Sequence, residues 1–419
     1  MHGPALAIWA IALLSILCML VRPRGIAEAW WVCAGALLLV LSRLLQVRAA
    51  EAAVGKGLDV YLFLTGMMVL AELARDEGVF DWVAGIAARL SRGSATRLFL
   101  LIYATGTLVT TLLSNDATAV VLTPAVLAVV RKAGVKPKPY LLTCAMIANA
   151  ASFVLPISNP ANLVIFAKQM PALGSWLRTF LLPSIGSILV TLAVLWWISR
   201  EDLEHEPNDG GEGLQLSPGG KLALAGLLLA CAALLGASAV GMDLGGPTCI
   251  AAFAAMLLVG SKDRGAPLRV IKGVSWSVLP LVAGLFVIVE AVEPTGLLRA
   301  GAKGLESLAH LPGIAGNISA GFSVGLLSNA MNNLPVGLMS GAAVQAATHL
   351  SKLPGSLRSA VLIGVDLGPN LSVTGSLATI LWLIALRREK VAIGGWEFFR
   401  AGLVAMPLAL LVSLLLLSV

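Results

Sequence analysis

A chain of 419 residues that is 58% hydrophobic and 12% charged, with a mean hydropathy of +0.91, is far more apolar than an ordinary soluble domain and makes the bilayer its solvent. Its net charge of +7 fits basic residues gathered in cytoplasmic loops, and nothing in the sequence points to nucleic acid. Cys18, Cys33, Cys144, Cys231 and Cys249 are scattered through apolar segments with no C-x-x-C or Cys/His pairing, which argues for packing and against a zinc site or a disulfide framework; no metal or cofactor is expected.

Spanning a bilayer takes roughly 20 apolar residues, and such stretches recur at 5–21, 29–45, 58–73, 181–198, 221–240 and 396–418. No Lys or Arg precedes the first stretch, whereas Arg22 and Arg24 follow it, so it reads as a retained helix and not a cleaved signal. Trp30, Trp31, Trp196 and Trp197 fall at span ends, where tryptophan anchors to the membrane interface. Val79 to Leu90 forms a short amphipathic piece. Two apolar arms then flank the polar tip Ser114-Asn115-Asp116. The second arm, Ala117 to Val130, reaches only about 21 Å as a helix, which suits a re-entrant hairpin over 96–132 better than a crossing. The next apolar segment, 140–168, is interrupted at Pro156-Ile157-Ser158-Asn159-Pro160-Ala161-Asn162. Backbone groups freed by proline persist at membrane depth only where protein or a watery cavity satisfies them. A last helix at 179–198 completes the first half.

One long polar stretch, 199–220, divides the chain, and the same plan returns after it. Gly66, Glu72 and Gly78 meet Gly284, Glu290 and Gly296 at one constant offset. "LLSNDATAVVLTP" answers to "LLSNAMNNLPVGL", and "VLPISNPANLVIF" to "NLSVTGSLATILW". A second hairpin is thus expected at 314–347 with its tip over Ser328 to Asn333, a second broken segment at 357–386 interrupted over Gly368 to Gly375, and a last helix at 396–418. With an odd number of crossings per half, residues 1–198 and 221–419 form oppositely oriented repeats joined by a linker at 199–220. The fold expected is an all-α polytopic membrane protein, an inverted-repeat secondary transporter with about ten transmembrane helices, two re-entrant hairpins and two discontinuous helices. Twenty of the 29 Lys and Arg residues lie on the side of the linker, which places it in the cytoplasm and both termini outside.

Tips and breaks of such a plan meet near the bilayer midplane. They gather Ser114, Asn115, Asp116, Thr118, Ser158, Asn159, Asn162, Ser328, Asn329, Asn332, Asn333, Asp366, Asn370, Ser372 and Thr374 as candidate substrate-binding residues. Amides, hydroxyls and free helix ends both donate and accept hydrogen bonds, which suits a small, hydroxyl-rich ligand. No Lys or Arg lies in the cores of these four elements, against a strongly anionic substrate, although helix N-termini can hold anions unaided. Asp116 and Asp366 are the acidic residues at these positions and the candidates for proton coupling, because a carboxylate left ionised and unpaired in the bilayer is costly. Helix capping is the competing explanation, most of all for Asp366 ahead of Gly368-Pro369. Glu72 and Glu290, at matching helix ends, read as interfacial anchors or ion-pair partners, with Arg75 one turn from Glu72. Asn149 either lines the cavity or bonds a neighbouring helix.

"SNDATAVVLTP", "SNAMNNLP" and above all "GVDLGPNLSVTGSLATILWL" resemble the arsenite/antimonite efflux permeases (ArsB type) of the ion transporter superfamily, a similarity that runs from about Trp9 to the C-terminus. The resemblance implies export of arsenite or antimonite across a bacterial inner membrane, in exchange for protons, optionally energised by a cytoplasmic arsenical-pump ATPase. Arsenous acid is a neutral triol near pH 7, which amides, hydroxyls and carbonyls can hold. Dicarboxylate and sodium–proton transporters of the superfamily carry Ser-Asn-Thr tips; here both tips lack the threonine, which weakens the dicarboxylate option. Where several relatives have an acidic residue in the first broken helix, this chain has Asn149. Alternatives are a sodium/proton antiporter or organic-anion transporter of the same fold and, more remotely, an intramembrane aspartyl protease built on Asp116 and Asp366, whose Asp366 lacks the Gly-x-Gly-Asp context.

Overall fold

The computed structural model describes residues 2–166, 169–204, 215–350 and 354–418; the middle of the expected linker, 205–214, and the end of the first broken segment, 167–168, lie outside the described residues. The described residues are mostly helical, with no strand among them. In chain order the first half holds α1 (His2–Val21), α2 (Glu28–Leu41), α3 (Val47–Lys56), α4 (Leu58–Asp76), α5 (Val79–Ser91), α6 (Ala95–Leu112), α7 (Thr123–Ala133), α8 (Lys138–Ala150), α9 (Pro160–Phe166) and α10 (Leu173–Ser199). The second holds α11 (Pro218–Ala239), α12 (Gly245–Gly260), α13 (Ala266–Gly273), α14 (Val278–Val292), α15 (Leu297–Ala309), α16 (Ala315–Met331), α17 (Asn333–Leu350), α18 (Gly355–Leu367), α19 (Leu377–Arg388) and α20 (Gly395–Leu416).

Boundaries follow local chemistry. The Ser94 hydroxyl accepts from the Arg97 N–H to open α6, and Ser217 accepts from Gly220 N–H ahead of Pro218 to open α11. Gly134, at φ 68°, closes α7 in the left-handed region that a side chain would resist. Six helices, or seven if the bent pair α3–α4 is one span, are long and apolar enough to cross a membrane. The shorter α2 and α12 are equally apolar, and α8–α9 and α18–α19 are each interrupted by non-helical residues, so length alone finds fewer than the ten crossings expected.

Helices of one half pack on helices of the other. α4 lies on α12 and α2 on α14; α17 lies on α9, and α7 on α19. Contacts within a half are likewise paired, α6 with α8 as α16 with α18, and α5 with α7 as α15 with α17. α10 and α20 close the arrangement along each other, with the Ser413 hydroxyl donating to the Pro183 carbonyl at 3.0 Å. Outward-facing leucines on α1, α10, α11 and α12 stay exposed, as a lipid-facing surface requires, and so do Trp30, Trp196 and Trp197.

The α16–α18 seam is made of glycine. Gly321 faces Gly364 and Gly325 faces Gly368, which directly follows α18, four residues apart on each side, and a Cβ on Gly364 or Gly368 would run into the opposing backbone. This is the small-residue approach that lets helix backbones touch in a bilayer.

Candidate functional site

Both hairpins turn on an N-cap. After α6 the chain leaves the helix at Leu113, and the Ser114 hydroxyl accepts from the Ala117 N–H at 3.1 Å. The next turn, Ala117–Leu122, is π-helical. Pro124 follows it and can give no N–H, while the Thr123 hydroxyl donates to the Ala119 carbonyl at 2.8 Å. Thr118, fully buried, accepts from the Thr110 hydroxyl at 2.8 Å. The Asn115 side chain accepts from the Asp116 N–H, and among the described residues the Asp116 carboxylate, half-buried, has no hydrogen-bond or ion-pair partner.

The second tip lies one helical turn later than the repeated "LLSN" suggests. Ser328 and Asn329 stay inside α16 because their side chains donate back to the carbonyls of Val324 and Gly325. The break comes at Asn332, whose φ of 75° and ψ of 148° lie in a region that non-glycine residues rarely adopt. Asn332 Oδ1 accepts from the Leu334 N–H at 3.3 Å, so Asn332, not Ser328, is the counterpart of Ser114, and Pro335 sits in the first turn that follows. Asn333 is buried, and its side chain makes no hydrogen bond among the described residues.

The second tip and the second break are stitched together. Asn329 Nδ2 donates to the Gly368 carbonyl at 2.9 Å, and its Oδ1 accepts from the Ser372 hydroxyl at 2.7 Å. Thr374 donates to the Asn329 carbonyl, and Asn332 Nδ2 to the Thr374 carbonyl. At the first break, Ser158 donates to the Thr111 carbonyl near tip one at 2.9 Å, and Asn162 Nδ2 reaches the carbonyls of Ser152, Leu155 and Pro156.

Two bonds join the breaks across 200 residues of sequence. Asn159 Nδ2 donates to Asp366 Oδ1 at 2.8 Å while its Oδ1 caps α9 through the Ala161 N–H. Asn149 Nδ2 donates to Asn370 Oδ1 at 3.0 Å, and Asn370 donates in turn to the Met146 carbonyl. Asn149 thus does bond a neighbouring helix, and does so inside the belt of breaks. No described hydrogen bond joins the two tips directly; the order of connection is tip one, break one, break two, tip two.

Asp366, Asn149, Asn159, Asn162 and Asn370 are all buried, yet Asp366 Oδ2, Asn149 Oδ1 and Asn162 Oδ1 have no hydrogen-bond donor. The Ser152 hydroxyl lies beside Asp366 but already donates to the Asn149 carbonyl. Among the described residues no Lys or Arg bonds to any belt side chain. Surplus acceptors without a cation favour something that brings O–H donors or protons. The expected anchors are ion-paired: Glu72 with Arg75, and Glu290 with Lys56 at 2.6 Å.

Three participants escaped the sequence reading. Ser376 caps α19 through the Ala378 N–H as Asn159 caps α9, one residue beyond the position that the repeated segments align with Asn159. The glycine seam is announced by "GFSVG" and "GVDLG". Glu28, acidic and buried beside tip two, carries no motif signal.

Cross-packed apolar helices around two interrupted, hydrogen-bonded segments define a multi-pass membrane transporter. The chain belongs to the CitMHS family of citrate transporters, whose profile matches residues 6–364. It is similar to an arsenical pump membrane protein of Escherichia coli, 27% identical over 97% of this chain and 96% of that protein. An uncharacterized transporter of Mycobacterium tuberculosis is 26% identical over 85% of this chain and 84% of its own length. Among solved structures, the YdaH transporter of Alcanivorax borkumensis superposes with a TM-score of 0.60 at 16% identity, covering 99% of this chain and 97% of that one. MtrF of Neisseria gonorrhoeae follows at a TM-score of 0.53 and 14% identity, covering 100% and 95%. These two likenesses show the fold; with the family they place the chain in the ion transporter superfamily, a transporter and not an enzyme.

Proposed function

We propose that this protein exports arsenite or antimonite, as a neutral trihydroxy metalloid, across a bacterial inner membrane in exchange for protons. The observation that carries this reading is the set of buried oxygen acceptors without donors at the joined breaks, in a chain whose relatives along nearly its whole length include an arsenical pump membrane protein. A neutral triol supplies the missing O–H groups without needing a cation. Asp116 and Asp366 are the proton-carrying residues: one has no partner and the other a single hydrogen bond, so neither is committed to a structural ion pair.

Transport follows an alternating-access cycle in which the halves are inverted repeats, with the linker cytoplasmic and both termini outside. Support comes from the exchange of partners between the halves and from the concentration of Lys and Arg on the linker side. Tips and breaks rock against the scaffold of α1, α2, α4, α11, α12 and α14. An arsenical-pump ATPase docking on the cytoplasmic face is an optional addition to this cycle.

The test is expression in an arsenite-sensitive host. Cellular arsenic should fall, everted vesicles should accumulate arsenite under an imposed pH gradient, and Asp116→Asn should remove the gradient dependence. An unchanged dependence rejects Asp116 as a coupling residue. A second reading, organic-anion transport, is favoured by the family's description as citrate transporters and disfavoured by the belt's lack of a cation. Parallel uptake of citrate, succinate and sodium separates the readings.

A further inference from the structure

Beside tip two a narrow crevice is lined by Met19 of α1, Glu28 of α2, Leu281 and Leu285 of α14, Asn332 and Leu334 at the tip, and Leu377 of α19. As it stands it is barely wide enough for a water molecule. Its walls are apolar except for Asn332 and Glu28. Glu28 pairs with Arg22 at 2.5 Å through Oε2, its side chain only 9% exposed, while its Oε1 is buried without a hydrogen bond. Such an orphan acceptor is costly unless something else completes it.

Strain surrounds the same crevice. Arg22, the partner of Glu28, and Arg24 hold φ of 50° and 58° in the turn between α1 and α2, and Asn332 in the crevice wall holds 75°. Non-glycine residues kept in these regions mark segments over-determined by their surroundings, which is what a closed state poised to open requires.

We propose that this crevice is the loading path to tip two and that Glu28 is a substrate-contacting residue in it. When the crevice widens, the free Oε1 accepts an O–H from a small neutral solute, and Arg22 holds the carboxylate in place to do so. The path opens on the side of the Arg22–Arg24 turn, which is the linker side, and the substrate assignment rests on the metalloid reading given above.

Two measurements on the full-length protein test this. In everted vesicles Glu28→Ala should raise KM for arsenite about tenfold with the maximal rate within about twofold of the parent, the signature of lost binding to a charged acceptor. Glu28→Gln, which keeps an acceptor of the same shape, should raise it less. Leu377→Cys should react with a hydrophilic maleimide in everted but not right-side-out vesicles, quantified on the labelled peptide by mass spectrometry; arsenite should slow the reaction and Arg22→Ala speed it. An unchanged KM in both Glu28 variants overturns the contact, and labelling of Leu377→Cys from the opposite side overturns the path. If the parent moves neither arsenite nor antimonite while Leu377→Cys still reacts from the linker side, the substrate is overturned and the path is supported.

Discussion

Asn159 does two jobs with one side chain, and substitutions can separate them. Its Nδ2 donates to Asp366 Oδ1 at 2.8 Å inside a fully buried site, and its Oδ1 accepts from Ala161 N–H to cap α9. A hydrogen bond to a charged group contributes about 1.5–3 kcal/mol and an N-cap about 1 kcal/mol, so Asn159→Ala should cost about 2.5–4 kcal/mol. Asn159→Ser should keep the cap, as Ser376 does for α19, and lose only the first contribution. Asp366→Asn preserves an acceptor for Asn159 and replaces the orphan Oδ2 by an amide N–H, so its stability should lie within about 1 kcal/mol of the parent. Apparent Tm in detergent should therefore fall in the order parent and Asp366→Asn, then Asn159→Ser, then Asn159→Ala. A double-mutant cycle of Asn159→Ser with Asp366→Ala should return a coupling of about 1 kcal/mol or more. Equal Tm values for the two Asn159 variants would refute the capping role. A cycle that closes to zero would refute the link between the breaks.

Placing a methyl group in the glycine seam with Gly368→Ala should destabilise the protein by about 1–3 kcal/mol, read as apparent Tm, because the opposing atoms are Gly325 backbone and cannot rotate away. An unshifted Tm would mean the seam can open without cost. At tip two, Asn332→Gly relieves the backbone while losing the side-chain bonds, whereas Asn332→Ala loses the bonds and keeps the strain; the alanine variant should be the less stable by about 1 kcal/mol or more. Reversed order would show that the φ of 75° carries no cost. In the loop between α12 and α13, hydrogen bonds from Arg269 and from the Gly265 N–H hold the Asp263 carboxyl below its ordinary range. A depressed folded value means the contribution is present at neutral pH and fades as pH falls through the lowered value, so Asp263→Asn should remove part of the acid destabilisation seen below about pH 4. Identical acid profiles of variant and parent would refute that tie.

Hydropathy and punctuation carried much of this architecture. Pro156, Gly368 and Pro369 fall between α8 and α9 and between α18 and α19, and Pro160 opens α9: a proline gives no N–H to the helical ladder and suits a first turn, and glycine weakens a helix without forbidding it. The break of tip two falls at Asn332, inside the expected Ser328 to Asn333 stretch but at its far end, because "LLSN" recurs in both halves while its surroundings differ. Ser328 and Asn329 satisfy their side chains on the preceding turn, and the Asn332-Asn333-Leu334-Pro335 run is the true cap and first turn. Asn159 with Asp366, and Asn149 with Asn370, are separated by 207 and 221 residues; no local pattern encodes such pairs. Glu28 went unnoticed for a similar reason: its burial comes from α14 and tip two folding over it.

The seam between α16 and α18 limits how this molecule can move. With backbones in contact at Gly321 and Gly364 and again at Gly325 and Gly368, no side chain separates the two segments at those levels to let them shear. They behave as one rigid strut, so any hinge freeing tip two has to bend at Asn332, beyond the strut's end, where the backbone is already wound away from its resting geometry.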